Sequence, residues 1–380
     1  MTLKDTAIFS QNKGIKTITN STPKADGYAM PAEYAKQSRV FMIFPERPDN
    51  WRDNAKPAQI AFANVAQAIS NFTPVTMLVS HEQFQTARNL LAHNIQLIEI
   101  STNDAWARDI IPTFVQHHLG KLRLSDWHFN AWGGEVDGLY SPYDKDDMVG
   151  QKISELMQID RYRPNNFVLE GGAIHVDGEG TVLTTRMCLL SEGRNPNFDE
   201  NAIENLLKEY LGVTKVLWLD DGIDPEETNG HIDDVACFVR PSEVVCIYTD
   251  DPKHPFYTTA QQCYRQLSEM TDAKGRKLTV HKICCTKQPV YLPTDINIKN
   301  NNNSKDRTTG ELCIASYANF LITNNGIIAP QYDDENDELA LQQLRNIFPN
   351  HTIVGVQTRE IVYGGGNIHC ITQQLPAQPL

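Results

Sequence analysis

Short apolar runs recur along this chain, each entered from a polar or glycine-bearing motif, most followed by a tight turn and a second apolar run. Runs of this length bounded by turn signals read as strands. The first copy starts at Trp106, runs through 110–115, turns near Gly120 and Lys121 and returns over 122–129. The second starts at Glu170, with strands over 173–176 and 181–185 on either side of a turn at 177–180. The third starts at Gly230, with strands over 235–239 and 244–249 flanking Pro241 and Ser242. The fourth joins 315–323 to 327–330 across Asn324-Asn325-Gly326, where Asn-Gly is a strong hairpin signal. The fifth is the terminal segment 365–372, which puts Cys370 on a short final strand over 368–372.

Segments of helical period separate the copies. Over 58–70, Ile60, Ala61, Val65, Ala68 and Ile69 share one face, and a strand over 76–80 follows. Over 199–211 the stripe is Ile203, Leu206, Leu207, Tyr210 and Leu211, followed by a strand over 215–219. Helices are also predicted over 255–270 and 335–347, the latter followed by a strand over 352–356. The unit is hairpin, helix, strand. Repeated units of this kind suggest a ring closed on itself, with every motif converging on one axial cavity. The strand over 39–44 lacks a motif and is expected to close the ring against the Cys370 strand. The alternative is a chance alignment of ordinary strands and turns. The run 300–304, Asn-Asn-Asn-Asn-Ser, reads as an exposed loop without chemistry.

Composition changes this picture little. At 41% hydrophobic residues over 380, a substantial core is available. A net charge of −13 argues against nucleic acid or an anionic membrane as partner and is compatible with a cationic substrate. The opening residues do not read as a signal peptide, and no apolar run is long enough to span a bilayer. The eight cysteines show no CxxC spacing, which favours a reduced, cytoplasmic setting.

The candidate chemistry lies in the motifs. Gly364-Gly365-Gly366-Asn367-Ile368-His369-Cys370 delivers a cysteine after a glycine turn, where it can act as a nucleophile if a base and charged groups lie near it in space. Trp106-Ala107-Arg108-Asp109, Glu170-Gly171-Gly172 and Asn229-Gly230-His231-Ile232-Asp233 offer those groups. His369 should point away from Cys370 on a strand and is not taken as the base. His231 and Asp233 could begin a metal site, but no further ligands stand at suitable spacing. No metal, nucleotide or flavin cofactor is expected.

In that order, these four motifs resemble those of the agmatine deiminases, members of the guanidino-group-modifying pentein superfamily. The resemblance spans 31–376 and extends to Trp132-Gly133-Gly134, Asp144-Lys145-Asp146-Asp147, Arg194-Asn195-Pro196 and Thr372-Gln373-Gln374. It implies an α/β fold, a five-bladed pseudo-fivefold propeller with a central active-site cavity. The domain would be a single one over 31–380, after an N-terminal extension over 1–30, and would form a homodimer or higher homo-oligomer. It implies that Cys370 is the nucleophile, His231 the general acid/base, and Glu170, Asp109 and Asp233 the carboxylates around the guanidinium. Hydrolysis would pass through a covalent S-alkylthiouronium. Each residue keeps a plainer alternative: a buried thiol for Cys370, a core histidine for His231 and a surface acid for Glu170. Asp109 could pair with Arg108, and Asp234 could take the role of Asp233.

A guanidinium is planar and permanently charged, and carboxylates grip its edges with paired hydrogen bonds. Trp106 is expected either against the substrate or in the core, and Gly365 and Gly366 beside it. Agmatine ends in an ammonium where arginine has a carboxylate, so its site should be acidic at the far end. Glu227, in the acidic stretch 220–227, is the candidate for that amine, against the alternative of a solvated loop. Other readings are a deiminase of free or peptidyl arginine, and a non-catalytic propeller that binds a macromolecule.

Overall fold

The computed structural model describes residues 14–378 apart from 225, 295 and 300. Residues 1–13 of the expected extension, Pro225 of the acidic stretch and Asn300 of the polar run thus lie outside the described residues. Thr17–Ile18 and Tyr28–Ala29, also within the expected extension, are strands at the two edges of a five-stranded sheet.

The described residues form five sheets in a mixed α/β fold. In each, an antiparallel pair is extended by a parallel strand. A parallel neighbour cannot be reached by a tight turn, so the chain crosses over through a helix. His175–Val176 pairs antiparallel with Thr181–Thr185, which runs parallel to Lys215–Leu219 after the helix Glu200–Leu211. Ala236–Arg240, Glu243–Tyr248 and Thr279–Cys284 repeat this through the helix Tyr257–Glu269. Leu321–Ile322, Gly326–Gln331 and Thr352–Gln357 do so through Asp337–Ile347. The expected N-terminal strand does pair near the C-terminus, but with the residues after Cys370: Gln37–Ile43 runs antiparallel to Gln373–Pro376. Gln37–Ile43 then runs parallel to Val75–Val79 through the helix Lys56–Ser70.

Local chemistry accounts for these elements. Asp199 caps its helix by accepting the Ala202 N–H at 2.8 Å. Its buried face is Ile203, Leu207, Tyr210 and Leu211, as the sequence stripe requires. Among the described residues no helix is long and apolar enough to cross a membrane.

The motifs themselves fold differently from the sequence expectation. Each forms a tight turn just before its strand. Ala107–Ile110 is one helical turn, and Pro112, with no N–H to give a ladder, delays the strand to Thr113–His117. Gly171–Ala173 and Ile232–Asp234 are 3₁₀ turns ahead of their strands. The expected strand over 368–372 is also a turn, and pairing begins only at Gln373. The reason is that its N–H groups are taken locally and from afar. Ile371 donates to the Asn367 carbonyl at 3.2 Å, Thr372 to that of His369 at 3.1 Å, and the His369 N–H goes to Asn319 Oδ1 at 2.9 Å.

Candidate active site

The turns from four copies meet in the interior and bring together five residues expected to share a site. Cys370, Asp109, Glu170, His231 and Asp233 are each no more than 7% exposed. Asp109 turns away from Arg108: its Oδ2 accepts Trp132 Nε1 at 2.9 Å and its Oδ1 the Gly172 N–H at 2.8 Å. Arg108 instead reaches the Gln374 side chain at 2.7 Å. Glu170 Oε1 accepts Arg194 Nε at 2.9 Å. His231 sits among the carboxylates at ion-pair separation, its Nδ1 3.9 Å from Asp109 and 4.0 Å from Asp233, its Nε2 3.6 Å from Glu170. Asp233 Oδ2 lies 3.8 Å from Cys370 Sγ. Glu170 Oε2, His231 Nε2 and Asp233 Oδ1 are buried with no partner in hydrogen-bond reach among the described residues. Other buried polar atoms of the fold share this state, so it is the clustering of these three beside Cys370 that makes them candidates to bind or react. Gly172 allows the close approach, since a Cβ there would fall 2.5 Å from His231 Nδ1.

Burial pushes the Cys370 thiol well above its usual range, and Asp233, Asp234 and Asp109 push the same way. Burial opposes the charge on His231, but Asp109, Cys188 and Glu170 outweigh it and raise its titration well above the usual range. The carboxylates around His231 thus favour its protonated form. Burial would raise Glu170 too, yet the Arg194 charge and His231 hold it at about 2. For Asp109 burial wins over the His231 charge, and it titrates at about 6.

Cys370 and Asp109 open onto a cavity also lined by Trp106, Trp132, Glu227 and Arg307, whereas His231, Glu170 and Asp233 lie behind it. Trp106 answers to both expectations: it packs in the core, 5.2 Å from the Trp51 ring, and faces the cavity. Gly365 lines the cavity at φ +105°, a conformation that side chains rarely adopt, and Gly366 lies beside Trp106 and Cys370. Glu227 is not a solvated loop residue; it lines the cavity, but both its oxygens are held by Arg307 at 2.7 and 3.0 Å. The polar run is an exposed loop over 301–303, as expected, although Asn301 donates to Asp49 at 2.6 Å and its last residue, Ser304, joins Lys305 and Arg307 in the cavity wall.

Several site residues escaped the sequence reading. Asn319 Nδ2 lies 3.2 Å from Cys370 Sγ and 3.0 Å from Asp234 Oδ1. It occupies the motif position of the fourth copy, and the repeat could have flagged it. Arg194 and Trp132 stood in motifs that carried no assigned role. His369, excluded as a base beside Cys370, instead contacts Asp233. Glu33 had no signal at all.

The model of the Porphyromonas-type peptidyl-arginine deiminase family matches residues 29–376. The agmatine deiminase of Ectopseudomonas mendocina is 49% identical over 364 residues, covering 95% of this chain and 99% of its own. The solved agmatine deiminase of Enterococcus faecalis superposes with a TM-score of 0.95 at 59% identity, over 96% of this chain and 100% of its own. A C. jejuni agmatine deiminase with substrate bound gives 0.77 at 26% identity, over 93% and 97%. By sequence along nearly its whole length, and by fold, the chain belongs to the Porphyromonas-type peptidyl-arginine deiminase family and, among its members, to the agmatine deiminases.

Proposed function

We propose that the protein hydrolyses agmatine to N-carbamoylputrescine and ammonia through a covalent adduct on Cys370. One observation carries the reading: Glu170 Oε2 and Asp233 Oδ1 are buried carboxylate oxygens without a hydrogen-bond donor, clustered beside a cysteine and a histidine that stands 3.6 and 4.0 Å from them. Those oxygens suit guanidinium N–H donors. Cys370 Sγ adds to the central guanidinium carbon, forming a C–S bond and a tetrahedral adduct. His231 gives its proton to one amino group, the C–N bond breaks and ammonia leaves. The remaining S-alkylthiouronium is attacked by water, which yields a proton to His231. Collapse breaks the C–S bond, restores the thiolate and leaves a ureido group, the hydroxyl proton passing to solvent, where it balances the ammonia released as ammonium. The five sheets, one of them edged by Thr17–Ile18 and Tyr28–Ala29, serve as blades of a propeller whose axial turns carry this chemistry. All eight cysteines are free, as a reducing cytoplasm keeps them.

The carboxylates that grip the substrate also suppress the thiolate. The cation must offset them, so ionisation of Cys370 follows substrate binding. Alkylation of Cys370 titrated against pH should shift to lower pH when a cationic guanidino analogue is bound; an unshifted profile would refute the coupling.

Glu227 is the residue proposed to meet the distal ammonium, sharing its charge with Arg307. Ammonia release should therefore be fast from agmatine and slow from free arginine. Preferred turnover of arginine would overturn the distal assignment, its α-carboxylate then being the partner of Arg307.

A further inference from the structure

His369 takes no part in the steps above, yet both its ring nitrogens are engaged. Nδ1 lies 2.7 Å from Asp233 Oδ2 and Nε2 2.8 Å from Glu33 Oε2, in a ring only 3% exposed. Ionised carboxylates only accept hydrogen bonds, and a neutral imidazole has one N–H to give. Two short contacts to two carboxylates thus call for a second proton, on the ring or on a carboxyl. Glu33 is poorly placed to hold it. Its Oε1 accepts the Ile322 N–H at 2.8 Å, while His175 Nε2 and Arg108 Nη2 face Oε2 from 3.4 and 4.0 Å. Asp233 is no better placed, with the His231 imidazole 4.0 Å from Oδ1. The nearby thiol of Cys237 is kept neutral by burial.

We propose that His369 is a positioning residue for Asp233: a doubly protonated imidazole, clamped between Asp233 and Glu33, that keeps Asp233 charged and fixes which of its oxygens meets the substrate. The inference rests on Asp233 gripping the guanidinium. The geometry fits this division of labour. Oδ2 is bound to His369, and Oδ1 stays free and buried for the substrate. The clamp also puts a positive charge next to the carboxylate nearest Cys370, easing the repulsion a thiolate would meet there. Burial works against the charge on Asp233, but the His369 hydrogen bond and charge prevail and hold it below its usual range. Glu33 reaches the clamp from the start of the chain and His369 from its end, 336 residues apart, so the join of the two termini sets the geometry of a third segment.

Nitrogen-15 spectra of the histidine rings in the full-length protein test this directly, with His369→Gln assigning the signal. The expected result is a ring protonated on both nitrogens through neutral pH, which loses one proton in Glu33→Gln. A neutral ring in the wild-type protein overturns the proposal. This reading needs no turnover, so it stands or falls apart from the choice of agmatine as substrate. In kinetics, His369→Gln should raise KM for agmatine about tenfold, with a smaller effect on kcat, since a misdirected carboxylate weakens binding first. Removing the imidazolium raises the Asp233 pKa, so the acid limb of kcat/KM should move to higher pH. His369→Asn, whose amide can still donate to Asp233, should recover part of the KM but not the acid limb. Wild-type acid limbs in both variants would contradict the clamp.

Discussion

Cys370→Ala is expected to abolish ammonia release, lowering kcat by roughly 10⁴–10⁶-fold, the range seen when a covalent nucleophile is removed. The fold should persist. Cys370 is 5% exposed and its Sγ hydrogen-bonds Asn319 and, at longer range, Asp233, so its loss leaves a small void worth about 1 kcal/mol. Agmatine should still bind, because the carboxylates that hold the guanidinium remain. Binding should even tighten, since the buried thiol no longer has to lose a proton when the cation arrives. The contrast of kept affinity with lost turnover separates a nucleophile from a packing residue. Acid-quenched wild-type enzyme should carry the mass of agmatine less ammonia, and the variant should carry none. Turnover within tenfold of wild type would refute the covalent route, whatever the fate of the substrate assignment.

Much of the fold was legible because it is written in local periodicity. The helices Glu200–Leu211 and Asp337–Ile347 and the strands Thr181–Thr185 and Lys215–Leu219 lie within two residues of their expected bounds. Each has an apolar stripe or run that needs no distant partner to be recognised. The hairpin at Asn324-Asn325-Gly326 was legible from turn chemistry alone. The motif turns were not, because a single helical turn is too short to show a period. Residues 368–372 look like a strand by composition, and nothing in that composition shows that their N–H groups go to a local turn and to the side chain of Asn319, 50 residues before His369.

The site divides the same way. Cys370, His231, Glu170, Asp109 and Asp233 could be named because their motifs resemble those of a known family, and the structure brings all five into one buried cluster. Their partners could not be. Arg194 holds Glu170 from 24 residues away, Arg307 holds Glu227 from 80, and Glu33 meets His369 from the far end of the chain. None of these pairs leaves a local pattern. The polar run shows the same limit: its asparagines over 301–303 are exposed, as composition suggests, but the place of Ser304 in the cavity wall is set by distant segments.

Glu170→Gln should be the most damaging single-charge change, to both catalysis and stability. Glu170 is fully buried and faces two buried basic groups, Arg194 and His231. Its carboxyl is held at about 2 from an ordinary 4.5. A depressed carboxyl contributes stability above its unfolded pKa and loses it as pH falls toward the folded value. A shift of this size corresponds to about 3 kcal/mol at neutral pH, in line with the cost of breaking a buried ion pair. Urea unfolding should show that deficit at neutral pH and a much smaller one near about pH 3. Glu243 supplies the control. It too is held at about 2, by Arg240, with burial opposing and His281 assisting, but its side chain is 30% exposed. Glu243→Gln should therefore cost no more than about 1 kcal/mol and leave turnover intact. In Glu170→Gln, His231 loses a carboxylate that raises its pKa, so it gives up its proton at lower pH. Turnover should then fall about 10³-fold at neutral pH, with the alkaline limb of kcat moved toward acid. A Glu170→Gln enzyme as stable as Glu243→Gln, with an unmoved alkaline limb, would show that Glu170 neither balances those buried groups nor tunes His231.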